Sequence, residues 1–407
     1  MISNLSRAAG PISILRQRNF GLIWSAISIS QMGSQMEMIV VVWYVLNVTD
    51  SPFLVGLTAA ARMGFNFLAL FAGATADLLP RRTLMIIIQA ILASLALVML
   101  VLIVSGLIEV WHIFVITMGG GLARIFQMPT AQSLAVDSVP TDRIPNAVAL
   151  ISAAGNIALI VGPVLGGLMF RISGPEGAYV LVASLYIASG LATFLMGVTR
   201  VSETQKGESV FTLVAQGLRY VKGEQLLWSV LLVAVIFNIT GFSFHTTLVP
   251  IFAKDILDRD SVGLGILISS FGIGGLAGSM FWASIPNLKH TGMFCILAVM
   301  GWHSTMILFA LSTNFYLSVG ILVVTGMMFS SSLVLVLTVL MKTGRPEFRG
   351  RLMGLRTLAI YAHAFGSLGA GAVAGALGAP ASAVLSGLFG IAMMLVLALI
   401  APKLRRF

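Results

Sequence analysis

The chain has 407 residues, of which 58% are hydrophobic and only 9% charged, and it carries a formal net charge of +10. A water-soluble enzyme of this length needs far more polar surface, so a soluble globular domain is excluded. Nucleic acid is not the partner that the basic excess implies, because the charges sit in short loops between long apolar runs.

An apolar run of about 20 residues crosses the hydrocarbon core as a helix, since no water is there to satisfy its backbone groups. Twelve such spans are expected, at 20–46, 52–76, 83–106, 110–134, 143–171, 176–198, 226–253, 261–285, 291–311, 314–340, 351–376 and 380–401. If they alternate in direction, most lysines and arginines fall on one side, from Arg7, Arg16 and Arg18 through Arg81, Arg82 and Arg143 to Arg349, Arg351 and Arg406. The opposite loops carry Arg171, Lys254 and Arg259. This bias is expected to place both termini in the cytoplasm. No cleavable signal peptide is expected, because the first apolar run is too long for one and lacks a small-residue cleavage pattern. Cys295 is the only cysteine, which excludes an internal disulfide and a cysteine metal site, and no metal or cofactor is expected.

The first span carries Gln31, Ser34, Gln35 and Glu37, and Glu37 is the only carboxylate in the interior of any span. Arg62 in the second span and Arg124 in the fourth are the other deeply placed charges. A lone charge at the bilayer centre costs ~3 kcal/mol or more, so such residues face a cavity or a partner. At about 1.5 Å per residue, Glu37 and Arg62 come out near one level, ~25 and ~21 Å from the inner ends of their helices. Arg124 comes out deeper toward the cytoplasm, at ~15 Å. Two readings stay open: Glu37 is a proton or cation site, or Glu37 and Arg62 form a static lock. His245, His303 and His363 also lie within spans; His363 is a cavity candidate, and packing roles are open for all three.

The longest polar interruption, residues 199–225, reads as a cytoplasmic linker with an amphipathic helix formed by Val210, Leu213, Val214, Leu218 and Val221. It separates a six-helix half, 1–198, from a second, 226–407. The halves echo each other: Trp24-Ser25 and Trp228-Ser229 enter the first and seventh spans, and Pro140-Thr-Asp-Arg143 and Pro346-Glu-Phe-Arg349 precede the fifth and eleventh. Parallel six-helix repeats are a known transporter plan, with the substrate site between the halves.

Two motifs carry a family resemblance. Gly73-Ala-Thr-Ala-Asp77-Leu-Leu-Pro80-Arg81-Arg82 resembles the signature loop of the major facilitator superfamily, Gly-x-x-x-Asp-Arg-x-Gly-Arg-Arg, with Leu78 and Pro80 departing from it. Gly162-Pro163-Val-Leu-Gly166-Gly167 in the fifth span resembles the Gly-Pro-x-x-Gly-Gly motif found in exporters of that superfamily. Arg18-Asn19-Phe20 is similar to the entry of its bacterial secretion-effector and siderophore-exporter branch. The resemblance implies an all-α fold of twelve helices in two six-helix repeats. It also implies a conformational latch at Gly73, Asp77, Arg81 and Arg82, with Asp77 facing the N-terminus of the eleventh helix, and a helix bend at Gly162, Pro163, Gly166 and Gly167. Arg124 resembles the fourth-helix arginine that modulates a carboxylate in family exporters.

No P-loop, zinc-protease or potassium-filter pattern occurs. The expected function is secondary active transport, with proton-coupled export of small amphipathic or hydrophobic compounds through a monomer in the lipid bilayer. Glu37 would carry the proton, and Arg124, Arg62, Gln31, Gln35 and His363 would line the path. An uncoupled facilitator or importer, and a non-transporting scaffold or receptor, are the alternatives.

Overall fold

The computed structural model describes residues 11–64, 68, 80–197, 210–285 and 288–407. Among these the chain is helical and contains no strand. The helices are α1 (Arg18–Thr49), α2 (Pro52–Met63), α3 (Arg81–Val104), α4 (Val110–Asp137), α5 (Ile144–Phe194), α6 (Val210–Lys222), α7 (Gln225–Asp255), α8 (Ser261–Ala283), α9 (Thr291–Ala310), α10 (Phe315–Thr343), α11 (Pro346–Leu377) and α12 (Ala379–Ile400). Every expected span falls on one of them, and residues 65–67 and 69–76 of the second lie outside the described residues. α5 holds two spans and is broken at Ser173 and Gly174; Gly174 has φ of 64°, a conformation open to glycine, and Pro175 restarts the helix. Eight of the described helices are long and apolar enough to cross a membrane. α1 and α4 are also long but fall outside that group, and they carry Glu37 and Arg124.

Local chemistry sets the helix starts. Ser51 Oγ accepts from the Leu54 amide at 3.3 Å, Asp260 Oδ1 from Gly263 at 3.0 Å and Asn314 Oδ1 from Leu317 at 3.1 Å, each satisfying an amide that the first turn leaves open. The two Pro-x-x-Arg segments fold alike: each makes a short 3₁₀ turn, Thr141–Arg143 just before α5 and Pro346–Phe348 as the opening of α11.

By their contacts the residues form two compact units, 1–40 with 68–206, and 41–67 with 207–407. In the first unit, one end is filled by Phe20, Ile23 and Ile27 of α1 against Met85, Leu134, Ala135 and Ile151. Ser189 Oγ donates to the Ala26 carbonyl at 2.7 Å and fastens α5 to α1. In the second unit, α8 and α10 meet backbone to backbone; a Cβ on Gly278 would stand 2.6 Å from the Met327 carbonyl oxygen. α2 packs on α11 in the same way, with Gly56 against Gly371. α6 is the expected linker helix. It docks through Gly217 on Arg351 and Leu355, and Tyr220 stacks on Phe348 at 4.2 Å, while Leu218 of the expected apolar face is exposed.

Candidate functional site

The first unit buries one charged cluster. Glu37 on α1 is 5% exposed, and its carboxylate accepts from both Arg124 of α4 and Tyr186 of α5. Tyr186 Oη donates to Glu37 Oε2 at 2.7 Å and accepts from Arg124 Nη2 at 2.7 Å, so the three side chains close a triangle. The guanidinium also lies over the Tyr186 ring, 5.8 Å from its centroid. Arg124 Nε and Nη1 are buried and make no hydrogen bond.

The depth expected for Arg124 is corrected here. α4 runs on to Asp137, three residues past the expected end, which adds ~4.5 Å. Side chains also lean toward the N-terminus of their helix. α1 and α4 run in opposite directions, so Glu37 leans toward the Arg18 end and Arg124 toward the Val110 end, and they meet. Gly120, one turn before Arg124, makes the room: a Cβ there would stand 2.7 Å from Arg124 Nη1.

Below the triangle a polar ladder continues on the same helix faces. Gln127 Nε2 donates to Ser30 Oγ at 2.6 Å, and Ser30 donates to Gln89 Oε1 of α3 at 3.1 Å. Ser30, Ser34 and Glu37 share a face of α1 at helical spacing, as Arg124 and Gln127 do on α4. The sequence reading did not single out Tyr186, Gly120, Ser30, Gln89 or Gln127. The helical spacing of the polar residues on α1 and α4 was the signal that could have found the ladder.

The other expected residues are placed as follows. Gln31 is half-buried and donates toward Met128 Sδ at 3.6 Å. Gln35 lies under Gly162, where a Cβ would stand 2.6 Å from the Gln35 Cβ. Gly166 sits on the Met36 backbone, with a Cβ there 2.9 Å from the carbonyl oxygen. The Gly162, Pro163, Gly166, Gly167 segment therefore packs on the turn of α1 that presents Glu37. Arg81 pairs with Asp137 at 2.7 Å, and Arg82 donates to the carbonyls of Thr193 and Phe194, tying α3 to the ends of α4 and α5. Gly73 and Asp77 lie outside the described residues. Arg62 lies in the last turn of α2, and His363 is buried on α11; both belong to the second unit. Among the described residues no group of three or more histidine, cysteine or acidic side chains is arranged to hold a metal.

The chain is similar to known proteins over most of its length. Residues 9–406 match the family described as transmembrane secretion effector. The chain is 24% identical over 385 residues to the multidrug efflux pump Tap of Mycolicibacterium fortuitum, covering 92% of this chain and 93% of that one. It is 26% identical over 368 residues to the multidrug efflux pump Tap of Mycobacterium tuberculosis, covering 86% and 85%. Among solved structures, it is similar to the nucleoside transporter NupG with a TM-score of 0.73 at 16% identity, covering 95% of this chain and 100% of that one. A bacterial homologue of the lysosomal transporter Spinster, inward-facing, matches with a TM-score of 0.70 at 14% identity, covering 97% and 96%. An all-α membrane fold, with a buried charge cluster in its apolar interior and a family match over nearly its whole length, makes this chain an integral membrane transporter of the major facilitator superfamily, and it belongs to the transmembrane secretion effector family.

Proposed function

We propose that the protein is a proton-coupled exporter of small amphipathic or hydrophobic compounds, with Glu37 as the coupling carboxylate. The observation that carries this is the buried triangle of Glu37, Arg124 and Tyr186. A buried carboxylate held by one arginine and one tyrosine has two stable arrangements. Ionised, it binds both donors. Protonated, it no longer holds the guanidinium by charge, and Arg124 is freed to move or to meet a substrate acceptor through its unused N–H groups. Proton uptake on one side and release on the other then alternates the packing of α1, α4 and α5. The efflux activity named for the Tap relatives supports the export direction and the substrate class.

Transport follows alternating access between the halves 1–198 and 226–407, joined by the linker 199–225, in a monomer whose termini both face the cytoplasm. Asp77, with Gly73, Arg81 and Arg82, is the latch on the cytoplasmic side. Asp77→Asn is expected to slow transport with near-normal expression, and normal turnover in that variant would reduce the loop to a topology signal.

The test of coupling uses purified protein in proteoliposomes with an imposed pH gradient and a panel of lipophilic cationic dyes and neutral drugs. Wild type moves at least one of them uphill, and Glu37→Gln loses the pH-driven component. Uphill transport by Glu37→Gln at the wild-type rate would remove Glu37 from the coupling path.

A further inference from the structure

The second unit holds three buried histidines, and they are not alike. His303 has both ring nitrogens engaged, Nε2 with Thr240 Oγ1 at 2.7 Å and Nδ1 with the Val299 carbonyl at 2.7 Å. Its role is structural. His245 and His363 are 5% and 1% exposed, and the Nδ1 of each is buried without a hydrogen-bond partner. Both pack edge-on against one ring, Phe242, at 4.4 and 4.6 Å, so the imidazoles lie within two ring contacts of each other. His245 also stacks flat on Phe271, 4.7 Å away and 9° from parallel. Phe329 closes the group, 5.7 Å from Phe242 and 5.2 Å from Phe271.

The backbone beneath this cluster is unusual. α7 widens into π-helical turns over Phe237–Phe242 and Phe244–Leu248, and Phe242 and His245 stand on them. Such turns are rare, and they recur at functional sites because tightening one to α-helix shifts every later residue by one position.

The surrounding charges are quickly named. α8 and α12 contain no ionisable side chain. α9 offers His303 and Cys295, α10 has Tyr316 and Lys342 near its ends, and α2 has Arg62. α11 adds Glu347, Arg349, Arg351, Arg356 and Tyr361, with Glu347 in its first turn at the far end, and α7 adds Lys254 and Asp255 at its own end. The end of α1, which Lys254 meets at Leu46, adds Tyr44, with Asp50 in the loop beyond it. Among the described residues, α2 and α7 to α12 bring no carboxylate to the middle of the cluster. A positive charge on His245 would lie over the face of Phe271, and charges on both imidazoles would repel each other.

We propose that His245 and His363, packed on Phe242 from two sides, form a second proton-binding site that takes one proton for the pair. The step is the formation of one N–H bond at an imidazole nitrogen, with the proton drawn from water and returned to it. Its use in transport rests on the reading of the chain as proton-coupled, but the binding itself does not depend on Glu37.

The test is magnetic resonance of histidine rings labelled with ¹³C and ¹⁵N, in the full chain in phosphatidylethanolamine–phosphatidylglycerol nanodiscs, from about pH 3 to 8, since burial disfavours the charged ring. The His245 and His363 signals are expected to titrate together while His303 stays constant. In His245→Gln the midpoint of His363 should move by about one pH unit or more, and the reverse should hold in His363→Gln. Phe242→Leu keeps both imidazoles and removes the ring between them, so it reads the same coupling if a histidine variant does not fold. Glu37→Gln should leave these titrations in place while abolishing pH-driven transport, which separates the two proposals. Ring signals of His245 and His363 that stay constant over the whole range in wild type would overturn the site, and so would midpoints that ignore the loss of the partner.

Discussion

The balance of charge around Glu37 decides what single substitutions do. A buried ion pair contributes little net stability, but removing one partner strands the other, at a cost of about 3–5 kcal/mol. Tyr186 softens this, since its hydroxyl bonds to both partners. Glu37→Gln and Arg124→Gln are each expected to lower the thermal midpoint in detergent, and the double variant is expected to recover most of that loss. Additive losses would show that the two side chains do not act as a pair. Gly120→Ala tests the same geometry from the backbone, because the new methyl occupies space that Arg124 Nη1 now uses. It should weaken pH-driven transport without changing expression, whereas Gly119→Ala, whose Cβ would meet only Leu95 at 3.3 Å, should act mildly. Glu37 and Arg124 were legible in the sequence because charge inside an apolar run is rare and needs an explanation. Tyr186 was not, since tyrosine is common in membrane helices and its partner is 149 residues away.

Among the elements, α2 and α11 make the closest approach that can be tested simply. A Cβ on Gly371 would stand 2.8 Å from the Pro52 carbonyl oxygen and 3.0 Å from the Gly56 Cα, while Gly369 faces open space. Overpacking such a contact costs about 1–3 kcal/mol and forces backbones apart. Spin labels on Phe53→Cys and Leu377→Cys, in a Cys295→Ser background, report the separation. Gly371→Val should lengthen and broaden the distance distribution, and Gly369→Val should leave it unchanged. The same distribution in both variants would mean that the two helices do not rely on this contact. Near it, Lys254 donates to the Leu46 carbonyl at 3.1 Å and pairs with Asp50, so the loop joining α1 to α2 is held by charge as well as by packing.

For the whole molecule, the distribution of lysine and arginine makes a topological prediction. Both termini should face the cytoplasm, and the loop between α3 and α4 should face outward. Cys295 is the only cysteine in the sequence, so one substitution gives a cysteine-free background. An impermeant maleimide should label Leu107→Cys on intact cells, and should label Arg406→Cys only after the membrane is opened. The reverse pattern would invert the orientation and with it the proposed direction of transport.

The sequence by itself determined the class and the plan. Long apolar runs with few charges can only be membrane helices, because lipid forbids unsatisfied backbone. Glycine and proline spacing in the motif at Gly162 marked a helix that packs closely on another, and the paired Pro-x-x-Arg segments marked two turns that fold alike. Tertiary structure decided who meets whom. The partner of Glu37 depends on where α4 ends, on the opposite lean of side chains on antiparallel helices and on the gap left by Gly120, none of which a residue count along one helix contains. It also set His303, with both nitrogens satisfied, apart from His245 and His363. A hydrogen bond between helices is a property of their register, and register is settled only when side chains from distant parts of the chain pack together.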